Sequence, residues 1–209
     1  MYLKRSNVPK KWPLPRKGSK YLVRPSQDRE GGLPLLIVLR DIMELAQNRK
    51  EVKKLLNLGK IKVNNNEIDS VNYTIKLFDV LDLDGKKFKL VLEDKKFSIK
   101  EVKGKESGQK VAKVIGKKIL KGGKKQVNLS DGRNYETDKK TKVGDSVLVD
   151  LKKSEIKKVL ALEKGQKVLF ISGKNMGKKG EVKDVGDKIM VKLDSEETET
   201  NKESIVVIE

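Results

Sequence analysis

The chain has no cysteine and no histidine. Without cysteine there is no disulfide and no thiolate metal site, and the lack fits a reducing cytoplasm. Without histidine the commonest general base and the commonest metal ligand are both missing. Neither a metal nor a cofactor is expected. Aromatic residues make up 4% of the sequence, with Trp12 the single tryptophan. The five prolines stand at 9, 13, 15, 25 and 34, and the remainder of the chain has none. Apolar runs stay under ten residues, too short to cross a bilayer. The basic N-terminus leads into no apolar stretch of the signal-peptide kind. No membrane and no small-molecule substrate is indicated.

Acid is scarce where base is dense. Among 209 residues, 49 are Lys or Arg and 30 are Asp or Glu, a net charge of +19 with a pI near 9.8. A balance of that kind favours nucleic acid or an anionic membrane surface as partner. Residues 1–27 hold Lys4, Arg5, Lys10, Lys11, Arg16, Lys17, Lys20 and Arg24, and the first acid is Asp28. A basic segment broken by proline cannot be a long helix or an interior strand. Residues 1–33 are therefore expected to be an extended tail that orders on an anionic partner. Trp12, Tyr2 and Tyr21 lie among its charges, where aromatic rings stack on bases or plug a groove. The alternative is a solubilising tail whose Trp12 packs on its own domain. Six of the seven arginines fall within the first 49 residues, including Arg29, Arg40 and Arg49. Arg forms bidentate contacts where Lys acts as a point charge, so the most directional contacts are expected there. Arg40 also has Glu44 four residues on, in reach for a local ion pair.

Residues 34–83 carry the clearest local pattern. PLLIVLRDIMELAQ is an apolar run headed by proline, a favoured first helical residue. NRKEVKKLLNLG is a second helix, with Asn48 as cap, Glu51 three residues on and Gly59 as a left-handed stop. Val52, Leu55 and Leu56 share one face. Lys50, Lys53, Lys54 and Asn57 share the other, and Lys60 and Lys62 carry the charge onward. Such a face fits a phosphate backbone or is simply solvated. EVKKLLNLGKIKVNNNEID with YTIKLFDVLDL resembles the small RNA-binding module of bacterial ribosomal protein four, some pseudouridine synthases and bacterial tyrosyl-tRNA synthetases. With the elements LKR, PKKWPLPRKG, VRPS and PLLIVLRD before it, the chain resembles the archaeal and eukaryotic family of small-subunit ribosomal protein four.

Residues 84–162 read as short strands with frequent turns, as in a small barrel or sandwich. They resemble the central β domain of that family. The pair Asp131 and Gly132 is read as a turn. KVGDSVLVDL and EKGQKVLFIS share one turn-into-strand pattern. Residues 163–209 read as strand, glycine-rich loop, strand, turn, strand. Gly173, Gly177 and Gly180 bracket Lys174, Asn175, Lys178 and Lys179, so backbone N–H groups and lysines can meet phosphates together. GQKVLFISGKNMGKKGEV resembles the KOW motif of ribosomal proteins and transcription elongation factors. It is not a nucleotide-binding P-loop: the spacing is one residue short, and no Ser or Thr follows Lys178. Asp194, Ser195, Glu196, Glu197 and Glu199 form a late acidic patch, expected as a solvated loop.

The expected fold is α+β and multi-domain. A basic Pro-rich tail (1–33) precedes a small α/β RNA-binding module (34–92), a central antiparallel β domain (93–162) and an SH3-like KOW barrel (163–209). The expected function, implied by the resemblance, is a non-enzymatic constituent of the small ribosomal subunit in the cytoplasm. It binds ribosomal RNA through the tail, the helix face and the loop, beside neighbouring ribosomal proteins. An RNA-modifying enzyme and a KOW-type transcription factor are the alternatives. The first would need a separate pocketed domain, and the second leaves the helices and tail unexplained.

Overall fold

The computed structural model describes residues 2–186, 188–193 and 196–208, the side chain of Lys105 excepted. It divides into two compact units, Met1–Ser107 and Gly108–Glu209.

The first unit holds strands β1 (Tyr2–Lys4), β2 (Tyr21–Val23) and β3 (Gly32–Pro34), then helix α1 (Leu35–Ile37), which runs on into a π-helical turn, Val38–Ile42. Helix α2 (Arg49–Asn57) follows, then β4 (Ile61–Val63), β5 (Asn66–Glu67), β6 (Thr74–Lys76), β7 (Val80–Leu83), β8 (Lys86–Glu93) and β9 (Lys96–Glu101). Strands β5, β4, β7, β8 and β9 form an antiparallel sheet in that order, while β1 pairs with β2 and β3 with β6. Three hairpins in this sheet close with two-residue turns: Asn64 and Asn65, Asp84 and Gly85, Asp94 and Lys95. All six residues have positive φ. That is the turn whose twist matches paired strands, and Asn, Asp and Gly tolerate it best.

Leu35, Leu36, Ile37, Val38 and Leu39 are all buried, as expected of a helix that is apolar on every side. Pro34 stands one step earlier than the sequence pattern places it. It is the last residue of β3, in extended conformation, and Leu35 N–H donates to Tyr73 O at 2.8 Å. Helix α2 starts on Asn48, whose side chain accepts from Glu51 N–H at 3.0 Å. The Glu51 carboxylate accepts in return from Gln47 N–H at 2.7 Å. Gly59, at φ +66°, ends that helical turn.

The N-terminal segment differs from the extended tail expected of it. Leu3, Trp12, Leu22 and Val23 are buried within the first unit. Phe97 N–H donates to Lys11 O and Ser26 N–H to Asn72 O, both at 2.8 Å. A few well-spaced apolar residues, with a neighbouring sheet to rest on, are enough to fold a segment whose average composition is polar. The expected boundary between residues 92 and 93 falls inside the β8–β9 hairpin. Leu90 pairs with Ile99 and Leu92 with Phe97 across it, so the hairpin belongs to the first unit.

The second unit holds β10 (Gln109–Ile119), β11 (Lys125–Leu129), β12 (Asn134–Glu136), β13 (Ser146–Asp150) and β14 (Glu155–Leu160), ordered β12-β11-β10-β13-β14. Then come β15 (Lys167–Phe170), β16 (Lys179–Val185), β17 (Ile189–Lys192), β18 (Glu197–Thr200) and β19 (Ile205–Val207), ordered β18-β17-β16-β15-β19. Each five-stranded sheet has its own apolar cluster, one around Val114, Leu129 and Val147, the other around Val168, Phe170 and Ile205. The echoed sequences enter β13 and β15 through Gly144 and Gly165, at φ +100° and +81°. The two sheets are joined by Ser146, whose hydroxyl accepts from Val207 N–H at 3.0 Å, and by Lys113. The Lys113 ammonium donates to Ile205 O at 2.9 Å and also to Lys202 O.

Candidate nucleic-acid interface

The expected contact residues lie on three surfaces. The first is the N-terminal segment, where Lys4, Lys10, Arg16, Lys17, Lys20 and Arg24 are exposed and Lys11 is half-buried. Two residues there are tied up within the protein, and for Trp12 this is the alternative reading, packing on its own domain. Trp12 is 2% exposed, with its indole N–H directed to Arg29 O at 3.4 Å, so it anchors the segment and offers no face to a base. Arg5 ties the loop between β1 and β2. Its Nε donates to Ser19 O at 2.7 Å, Nη1 to Pro15 O at 2.6 Å and Nη2 to Ser19 Oγ at 3.3 Å. A guanidinium with its donors committed in this way is a structural clasp. Tyr2 and Tyr21 remain exposed, at 69% and 52%, with ring centroids 6.4 Å apart.

The second surface is helix α2, which packs on the Val38–Ile42 turn. Val52 and Leu56 are buried, while Arg49, Lys50, Lys53, Lys54 and Asn57 point to solvent. Glu51 is the helix's one acid and is occupied by the cap, so the outer face stays cationic. Arg40, on the π-helical turn, pairs in bidentate fashion with Asp41, at 3.0 and 2.8 Å, and not with Glu44. Lys60 and Lys62 hold Asp84 and Glu67 at 3.4 and 3.1 Å. These are exposed pairs of the kind that contribute little to stability and exchange readily for phosphate.

The third surface is the glycine-rich loop between β15 and β16. Lys174, Lys178 and Lys179 are exposed, and Asn175 donates to Thr198 Oγ1 at 3.2 Å. Gly177, at φ +89°, turns its N–H to Phe170 O at 2.8 Å. Gly180 is needed for space: a Cβ there would meet Val191 Cγ1 at 2.6 Å and Lys192 O at 2.8 Å. The loop joins two strands, with no helix behind it. In the late acidic patch, Asp194 and Ser195 lie outside the described residues. Glu197 and Glu199, in β18, pair with Lys183 at 2.6 Å and Lys188 at 3.3 Å.

One cationic cluster stands apart from the expected set. Lys117, Lys118, Lys121, Lys124 and Lys125 gather at the far end of the β10–β11 hairpin. The available signal was charge of one sign: residues 107–130 contain no Asp or Glu. Asp131, at the foot of this hairpin, is more than a turn residue, since it forms a buried ion pair with Lys110 at 2.7 Å.

Known proteins resemble the chain along most of its length. Residues 33–81 match the S4 domain, and residues 84–156 match the ribosomal family S4e. The small ribosomal subunit protein eS4 of Nanoarchaeum equitans is 35% identical over 191 residues, spanning 88% of this chain and 82% of that one. This chain belongs to the ribosomal S4e family. A second S4e relative, from Methanocella arvoryzae, is 33% identical over 190 residues, spanning 88% of this chain and 80% of its own. The S4e fold is also visible directly. The crystal structure of the 30S ribosomal protein S4e from Thermoplasma acidophilum superposes with a TM-score of 0.73 at 23% identity, covering 87% of this chain and 96% of that one.

Proposed function

We infer that this S4e chain is a structural constituent of the small ribosomal subunit in the cytoplasm, holding ribosomal RNA by phosphate contacts. One observation carries the reading. Within the stretch matched by the S4 domain, helix α2 turns Lys50, Lys53 and Lys54 to solvent while its apolar face is buried. The N-terminal cations and Lys174, Lys178 and Lys179 of the glycine-rich loop, read as a KOW-type turn, extend the same chemistry. Neutralising phosphates releases counterions, which gives affinity without a pocket, a cofactor or a reaction. The role proposed is a binding one, not catalysis. Its partners are small-subunit ribosomal RNA and the ribosomal proteins beside it. Residues 34–107, 108–162 and 163–209 act here as successive RNA-facing modules.

The test is co-sedimentation of the tagged chain with small ribosomal subunits, against its co-purification with RNA polymerase. Association with the subunit that survives washing at moderate salt is expected. Recovery with RNA polymerase alone would replace this reading with a transcription factor. Turnover on transcribed RNA would replace it with an enzyme.

A further inference from the structure

The β10–β11 hairpin outgrows the sheet it starts from. Residues 109–113 of β10 pair with β13, and Val114 still exchanges backbone hydrogen bonds with Gly144 and Asp145; beyond it the strand pairs with β11 alone. The β-bulge between Val114 and Gly116 marks that change. From residue 115 to residue 125 no side chain is buried. Past Lys125, whose carbonyl accepts the last backbone hydrogen bond from the β12 side, from Thr137 N–H at 2.9 Å, the ribbon is two strands wide. A two-stranded ribbon without a buried face is marginal in water.

Its charge is also unbalanced. Of the five lysines, Lys124 alone meets an acid among the described residues, Glu136 at 3.3 Å, and both are well exposed. The register fixes how they are distributed. Residues opposite each other share a face, so the pairings Lys117 with Val127 and Ile119 with Lys125 put Lys117, Ile119 and Lys125 on one side. Lys118 and Gln126 lie on the other, and Lys121 and Lys124 flank the turn at Gly122 and Gly123. Ile119 is 73% exposed.

We propose that the distal end of the β10–β11 hairpin is an RNA-binding finger that seats between two phosphate backbones. Lys117 and Lys125 meet one strand of phosphates, Lys118 meets the other, and Lys121 with Lys124 caps the approach. Ile119 supplies an apolar contact to ribose on the first face. The proposal rests on the ribosomal RNA reading above and adds a site to it. Cations on both faces of a thin ribbon suit a polyanion that can approach from two sides. Binding also relieves the mutual repulsion of five crowded charges.

The experiment measures affinity of the full chain for transcribed small-subunit ribosomal RNA across a salt series. One variant replaces Lys117, Lys118, Lys121, Lys124 and Lys125 with Ala. A second replaces the same five with Arg, and a third changes Lys121 and Lys124 alone to Ala. The five-site Ala variant should lose about tenfold or more in affinity at 0.1 M salt, with the salt slope reduced by about 0.7–0.9 for each phosphate no longer neutralised. The Arg variant should retain both affinity and slope. The double variant lies past the last strand pair and touches no core, so it reads the same effect at smaller size even if the five-site variant unfolds. Unchanged affinity and slope in both Ala variants would overturn the finger while leaving the ribosomal RNA reading intact. Normal RNA binding with failed subunit incorporation would overturn it in favour of a protein contact. Failure of the unaltered chain to bind the RNA would overturn both.

Discussion

The N-terminal segment and the distal β10–β11 hairpin are both dense in cations and free of acid, and have opposite architecture. Residues 1–27 hold eight basic residues and no acid, and residues 115–125 hold five and no acid. The first is anchored, because Leu3, Trp12, Leu22 and Val23 reach a core. The second stands free, because the apolar residues that could anchor it, Ile115 and Ile119, are 57% and 73% exposed. Charge therefore points to a polyanion for both regions but says nothing about which is preformed. That is decided by where a handful of apolar side chains land, since burial contributes about 25 cal/mol per Å² and exposed charge almost nothing to folding.

The largest break in this comparison should come at Trp12. Trp12→Ala removes a fully enclosed aromatic and should destabilise the first unit by about 3–5 kcal/mol. Trypsin should then cut rapidly among residues 4–24, and the segment would become the free tail its composition suggests. Unchanged cleavage and melting would mean that the hairpin of β1 and β2 stands without its anchor.

Gly180→Ala should cost roughly 1–3 kcal/mol, because the added methyl overlaps Val191 and a backbone carbonyl in a packed sheet. Lys178→Ala with Lys179→Ala should leave the melting temperature in place and weaken subunit incorporation. If the glycine change is silent, the close approach at β16 is not rigid. If the lysine pair is dispensable for incorporation, the loop is only a turn.

Lys113 sharpens the contrast within one strand, since it is buried four residues before exposed Lys117. Burial lowers its ammonium from an ordinary 10.5 to about 8, with Glu203 opposing. Between pH 8 and 10.5 the unfolded chain holds the proton and the folded chain does not. Stability contributed at this residue therefore rises with pH through that window and is least below pH 8, where both states are charged. The melting temperature of the unaltered chain, measured relative to Lys113→Met, should climb from about pH 8 to about pH 10. A flat difference would show the ammonium to be solvated.

The smallest effect on stability should come from Lys50→Ala, Lys53→Ala and Lys54→Ala combined. The change should stay within about 0.5 kcal/mol for each site, while the salt slope for RNA binding falls by about 0.7–0.9 for each phosphate left unpaired. A drop in melting temperature with RNA binding unchanged would make this a structural face.

The sequence by itself determined the local grammar. The Asn48 cap, the Gly59 stop, the two faces of α2 and the tight turns at Asn64 and at Asp131 depend on residues a few positions apart, and local sterics settle them. It also pointed to a polyanion as partner, because net charge survives any fold. Only the tertiary structure decided that Trp12 faces inward, that Arg5 clasps a loop, that Arg40 chooses Asp41 and that the β8–β9 hairpin joins the first unit. Trp12 and the hairpin depend on a surface brought in from elsewhere in the chain, β9 beside residues 11–12, and Arg5 depends on the carbonyls of Pro15 and Ser19, while Arg40 takes its immediate neighbour over the residue four positions on. The acid-free run of residues 107–130 marked the charge of the β10–β11 hairpin, but its arrangement was not legible for the same reason. Its lysines look like any others in a lysine-rich chain until the register puts them on both faces of a ribbon with no core beneath.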